Sequence, residues 1–151
     1  MCSRRAKKNG GQAAQALGRS RGGFSTKVHV TVDALGNPLR FILTSGQRND
    51  ITQADSLIAG FNCQYVIADK GYDANDFRQT VAEQGATPVI PPRTTRTELV
   101  EYDTWLYRER HLVECFMIKF KCFRRLFSRF DKLDRRFLAF LSFVAALIWL
   151  R

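Results

Sequence analysis

Two carboxylates in this sequence stand where acid or metal chemistry could be done. Glu114 is the only acid between Glu109 and Asp131, and Arg110, Lys119, Lys121, Arg124, Arg125 and Arg129 surround it. A lone carboxylate in a cationic stripe suits a hard metal ion held against a phosphate, because it supplies an oxygen ligand while the cations neutralise the anion. The same stripe would bind a nucleic-acid backbone with no chemistry, and it is also the wet face that any amphipathic helix needs. Asp69 follows the compact apolar run Tyr65-Val66-Ile67-Ala68 and opens Asp-Lys-Gly-Tyr, a sequence that equally suits a plain turn.

These groups need elements to carry them. Asp103 is a suitable N-cap, and the absence of Gly and Pro from there to the end predicts a long helix starting near Thr104. At helical spacing Leu112, Phe116, Phe120, Phe123, Phe127 and Phe130 share one face, while Tyr107, Arg110, Glu114 and Lys121 fall within an arc of roughly 60° on the other. Phe137 to Leu150 is almost wholly apolar but shorter than the roughly 20 residues that span a bilayer. It reads as a buried core helix, with a membrane-surface segment as the alternative.

Upstream, Val28, Val30 and Val32 alternate with Lys27, His29, Thr31 and Asp33. After the turn Ala34-Leu35-Gly36-Asn37-Pro38 the alternation resumes at Leu39, Phe41 and Leu43, which predicts a β-hairpin over about 27–44 with His29 as a surface histidine. Ile51, Ala54, Leu57 and Ile58 predict a short helix over 51–61. The run ending at Asp69 reads as a strand, Asp73 as the cap of a helix over about 74–84, and Pro88 to Ile90 as a further strand closed by Pro91-Pro92. Strands alternating with helices predict an α/β fold.

A chain of 151 residues with 45% hydrophobic content can build one real core, which excludes wholesale disorder. Its formal charge of +10 suits a polyanionic partner such as nucleic acid. Cys2, Cys63, Cys115 and Cys122 have neither C-x-x-C pairing nor matching histidines, so they fit neither a zinc site nor a disulfide framework. No apolar stretch near Met1 resembles a secretory signal, so a cytoplasmic, nucleoid-associated location is expected. Residues 1–23 hold Arg4, Arg5, Lys7, Lys8, Arg19 and Arg21 and no acid. They read as a basic flexible arm, either a solvated tail or a segment that tracks phosphates, ahead of a domain over 24–151.

Tyr107, Arg110, Glu114 and Lys121 reproduce, without a gap, the Tyr-x2-Arg-x3-Glu-x6-Lys signature of bacterial insertion-sequence transposases of the aspartate-aspartate-glutamate class, in the groups numbered four and five. Val66-Ile67-Ala68-Asp69-Lys70-Gly71-Tyr72-Asp73 resembles the second-aspartate block of that family. Supporting stretches are Gly18 to Gly23, Val32 to Pro38 and Val89-Ile90-Pro91-Pro92-Arg93, so the likeness covers about Ala16 to Arg151. The resemblance implies a ribonuclease H-like mixed sheet with flanking helices. It makes Asp69 and Glu114 the second and third catalytic acids, ligands of Mg²⁺ or Mn²⁺. Tyr107, Arg110 and Lys121 become contacts to double-stranded DNA at the element ends, joined by Arg19 and Arg21 from the arm. Simple packing is the alternative for Tyr107.

The first aspartate of the family belongs to the first strand of the fold, upstream of the basic glycine-rich stretch. Asp33 is the first acid in this chain and stands at a hairpin turn; Asp50, in the loop before the first helix, is no better placed. The expectation is therefore a partial catalytic domain that lacks its first strand and partners an upstream transposase segment, with self-association allowed for. Alone it should not cut DNA. The rival is a DNA-binding remnant or regulator without chemistry. A membrane-associating helical protein built on Phe137 to Leu150 is a third class.

Overall fold

A computed structural model of the chain describes residues 16, 18–20, 23–98, 100–123 and 133–150. The alternating valines produce a hairpin: β2 (Gly23–Val32) pairs antiparallel with β3 (Pro38–Ser45), from Thr26 opposite Ser45 to Val32 opposite Pro38. Its turn is closed by Asp33, whose carboxylate accepts the amides of Leu35 and Asn37, both at 2.8 Å. Gly36 takes the left-handed conformation there, at φ +82°. Asp33 is thus a turn residue. A short strand β1 (Gly18–Ser20), inside the stretch expected to be an arm, pairs with Gly23 to Ser25.

The apolar face of the hairpin builds one core. Val28, Val30, Val32, Phe41 and Leu43 pack against Phe116 and Phe120 of α3 (His111–Lys121) and Phe137, Leu141 and Val144 of α4 (Asp134–Trp149). The Phe41 ring lies 6.0 Å from Phe116 and 5.9 Å from Phe120, within the range of favourable aromatic pairs. Trp149 Nε1 donates to Pro38 O at 3.1 Å and ties the end of α4 to the start of β3.

The polar face is not open to water, which corrects the expectation for His29. A second layer covers it: α1 (Ala54–Ile58) follows a 3₁₀ turn (Asp50–Gln53), and Thr31 Oγ1 donates to Leu57 O at 3.1 Å. Arg40 donates to Ser56 O at 2.6 Å and Ala59 O at 2.8 Å. His29 is only 3% exposed. Its Nε2 lies 2.8 Å from Thr44 Oγ1 and its Nδ1 3.5 Å from both Tyr72 Oη and Asp50 Oδ1. Burial lowers its pKa, Asp50 opposes this and Lys27 adds to it, so the imidazole sits below its ordinary value. Alternation shows which residues share a face; it does not show whether another layer lands on that face.

Beneath α1 lies the second core of Ala54, Ile58, Val66, Phe77, Val81, Ala86 and Ile90. β4 (Tyr65–Ile67) and β5 (Thr87–Val89) are parallel, which requires a crossover, and α2 (Asn75–Glu83) supplies it. The expected Asp73 cap is not made. The N-cap of α2 is Ala74 without a side-chain bond, and the Asp73 carboxylate turns inward to Arg78 Nε at 2.9 Å, an Arg96 nitrogen at 2.5 Å and the Arg93 amide at 2.8 Å. Three cationic or amide donors outcompete one helix terminus.

The single helix expected from Thr104 onward is also corrected. Asp103 Oδ1 does accept the amides of Trp105 and Leu106, at 2.9 and 2.8 Å, but it opens a 3₁₀ turn (Leu106–Arg110) that passes into α3. Leu133, ahead of α4, is extended at φ −87° and ψ 126°. One straight helix over this stretch would run about 70 Å at 1.5 Å per residue. No such rod could lay both Phe116 and Leu141 on one hairpin. Phe127 and Phe130 fall outside the described residues, as do Arg124, Arg125 and Arg129. α4 buries Phe137, Leu141, Val144 and Ala145 yet exposes Phe143 and Leu147, so the core-helix expectation holds for one face. No helix among the described residues is long and apolar enough to cross a membrane.

Candidate active site

The end of β4 delivers Ala68 and then Asp69, in an extended conformation at φ −77° and ψ 170°. Asp69 Oδ1 accepts the Gly71 amide at 2.7 Å and so caps the 3₁₀ turn Lys70–Tyr72. The side chain is exposed, and Oδ2 makes no hydrogen bond among the described residues. A capped turn with one oxygen held and one free presents a ligand atom in a fixed direction.

A side chain at Gly71 would push against the Asp69 carboxylate. A Cβ on Gly71 would stand 2.8 Å from Asp69 Oδ1 and 3.8 Å from Asp50 Oδ2, so two carboxylates flank the same residue. Asp50 Oδ1 is paired with Lys27 Nζ at 3.1 Å. The nearness of Asp50 to the Asp69 turn is a feature that its place in the loop before the first helix did not announce. Sequence reasoning missed it because the proximity is between two loops, and no spacing along the chain reports that. Burial first, then Asp50 and Asp69, push the Tyr72 phenol far above its ordinary pKa, which keeps its hydroxyl protonated beside His29.

Glu114 lies in the first turn of α3, exposed, and forms an ion pair with Arg110 one turn earlier. The Arg110 guanidinium also lies 5.8 Å from the centre of the Tyr107 ring, which meets Tyr102 edge-on at 5.6 Å. Three of the four signature residues therefore form one connected row. Lys121, exposed at the end of α3, lies seven residues past Glu114, about 10 Å along the axis. The Leu106–Arg110 turn packs against β4, which ties the start of α3 to the strand that delivers Asp69. The Arg19 backbone belongs to β1; Arg21 lies outside the described residues.

A profile of the family described as "Transposase DDE domain" matches residues 3–149. The chain belongs to the DDE transposase family. A Brucella ovis protein described as a candidate transposase for insertion sequence element IS6501 is 42% identical over 130 residues, 85% of this chain and all of that relative. A Burkholderia cepacia protein described as a candidate transposase for IS402 is 34% identical over 119 residues, 71% of this chain and 54% of that relative. The chain thus spans about half the length of the second relative. No solved structure gives a significant match. DDE transposases act on DNA and use divalent metal ions.

The donors of this transposase chain fit such an ion in kind. Among the described residues Asp69 and Asp50 each leave a carboxylate oxygen uncommitted, and Glu114 spends one on Arg110. They fall short in number, because no group of three or more His, Cys, Asp or Glu side chains is assembled among the described residues. Hard divalent cations require several oxygens each.

Proposed function

We propose that this chain supplies the second and third acids, Asp69 and Glu114, of a ribonuclease H-like transposase centre whose first aspartate comes from an upstream segment. The observation that carries the reading is the Asp69 turn: an exposed carboxylate with one free oxygen, at the carboxyl end of a parallel strand, where α/β sheets place ligands. The shortage of metal-ligating groups supports the missing acid. So does the sheet, since β1–β3 and β4–β5 share no ladder among the described residues, as expected where a joining strand is lacking.

When bound, Mg²⁺ or Mn²⁺ supplies Lewis-acid stabilisation of the attacking and leaving oxygens in an in-line displacement at phosphorus. The protein's part is positional. Asp69 offers its free oxygen from a rigid turn. Arg110, held by Glu114 and steadied by Tyr107, offers a planar fork of donors to a DNA phosphate, and Lys121 adds a point charge further along the same helix. On the same reading Arg19 and Arg21 would add phosphate contacts. A copy of this chain on each element end is the corresponding assembly. The second reading, a DNA-binding regulator without chemistry, is favoured by the net charge of +10.

Element-end duplex DNA separates them. The purified chain should bind it with steep salt dependence and leave it uncut in Mg²⁺; joined to the upstream segment, it should nick. Binding without cleavage by the joined protein favours the regulator. Cleavage by the chain alone, lost in Asp69→Ala, contradicts the missing acid.

A further inference from the structure

The Pro91-Pro92-Arg93 stretch has had no role so far. Because β5 is parallel to β4, the chain leaving β5 emerges at the same end of the pair as Asp69. Two prolines with fixed φ give it a stiff lead, and Arg93 then turns back onto the Asp69 turn. Its Nε donates to Lys70 O at 3.0 Å and a terminal nitrogen donates to Gly71 O at 2.5 Å. The Arg93 amide is itself anchored on Asp73 Oδ2 at 2.8 Å.

Lys70 C=O and Gly71 N–H belong to one planar peptide unit. Arg93 grips its oxygen, and its N–H holds Asp69 Oδ1 at 2.7 Å. Rotation of that peptide would break both bonds together. We propose that Arg93 is a positioning residue: by clamping the Lys70 and Gly71 carbonyls it sets the direction in which the Asp69 carboxylate is presented. The inference rests on the reading of Asp69 as a metal-binding acid. It adds a residue that touches neither ion nor DNA. The guanidinium fork is needed because the two acceptors diverge along the chain; an ammonium carries its charge at one point and cannot span both in the same way.

Arg40 is the matched control, since it grips two carbonyls, Ser56 O and Ala59 O, at the carboxyl end of α1. Two readouts on the chain joined to its upstream segment test the proposal: Mn²⁺ affinity from the loss of the free-ion electron paramagnetic resonance signal, and hydrogen exchange at the Gly71 amide. Arg93→Gln should weaken Mn²⁺ binding about tenfold, as loss of a group behind a metal ligand does, and should speed Gly71 exchange. Arg93→Lys should recover part of both. Arg40→Gln should lower the melting temperature and change neither. If Arg93→Gln matches Arg40→Gln in both readouts, the proposal is overturned. Asp69→Asn keeps the two ideas apart. If it leaves Mn²⁺ binding unchanged, the metal reading fails, and Gly71 exchange alone decides whether Arg93 holds the turn.

Discussion

Asp73→Ala is expected to cost about 3–5 kcal/mol of folding stability, the penalty for removing one partner from a buried ion pair. The Asp73 side chain is 2% exposed, and those of Arg78 and Arg96 12% and 14%. Alanine would leave both guanidiniums largely buried without their countercharge and the Arg93 amide without its acceptor. Arg78 would keep only its bond to Ile90 O at 2.6 Å. Urea denaturation measures the loss, and a cost below about 1 kcal/mol would match an exposed pair instead. The same carboxylate gives an acid limb. Burial alone would raise its pKa, but the Arg93 amide, Arg78 and Arg96 outweigh burial and hold it below the usual value. A depressed carboxyl stabilises fully above the unfolded value of about 3.9, and the contribution disappears as pH falls through the lower folded value. Stability should therefore drop below about pH 4 in the wild type, and this part of the drop should be absent in Asp73→Asn.

The second large effect concerns catalysis. In the chain joined to its upstream segment, Asp69→Ala and Glu114→Ala should each reduce nicking of element-end DNA at least about a thousandfold, roughly 4 kcal/mol of barrier. Affinity for DNA at fixed salt should change little, because neither residue is cationic. Rates and gel-shift titrations on the same preparations check this. A tenfold or smaller effect at Glu114 would assign it to holding Arg110 rather than to the reaction.

What the sequence made legible was local. The hairpin announced itself through Val28, Val30 and Val32, and the helix faces through Phe116 and Phe120, because periodicity reports a residue's own backbone. Motifs singled out Asp69 and Glu114 as candidates. His29, Asp50 and Arg93 were not legible, and each for the same reason: its surroundings come from a segment distant in the chain. His29 is buried by Thr44 and Tyr72, Asp50 lies near Gly71 beside the Asp69 turn, and Arg93 reaches back to Lys70. Asp73 failed as a cap because competing donors lie at Arg78, Arg93 and Arg96, beyond any capping window. The helix after Asp103 was drawn too long because the absence of Gly and Pro permits a helix without obliging it to continue past Lys121, and Leu133 is extended.

The central claim is that Asp69 and Glu114 converge on shared cations. Ferrous ion in place of Mg²⁺, with ascorbate and peroxide, cleaves a polypeptide next to the bound ion, so mapping the cuts in the joined protein tests it most directly. Two cut clusters are predicted, one beside Asp69 and one beside Glu114, both lost in Asp69→Asn. Cuts beside only one of the two, or a pattern indifferent to Asp69→Asn, would contradict it.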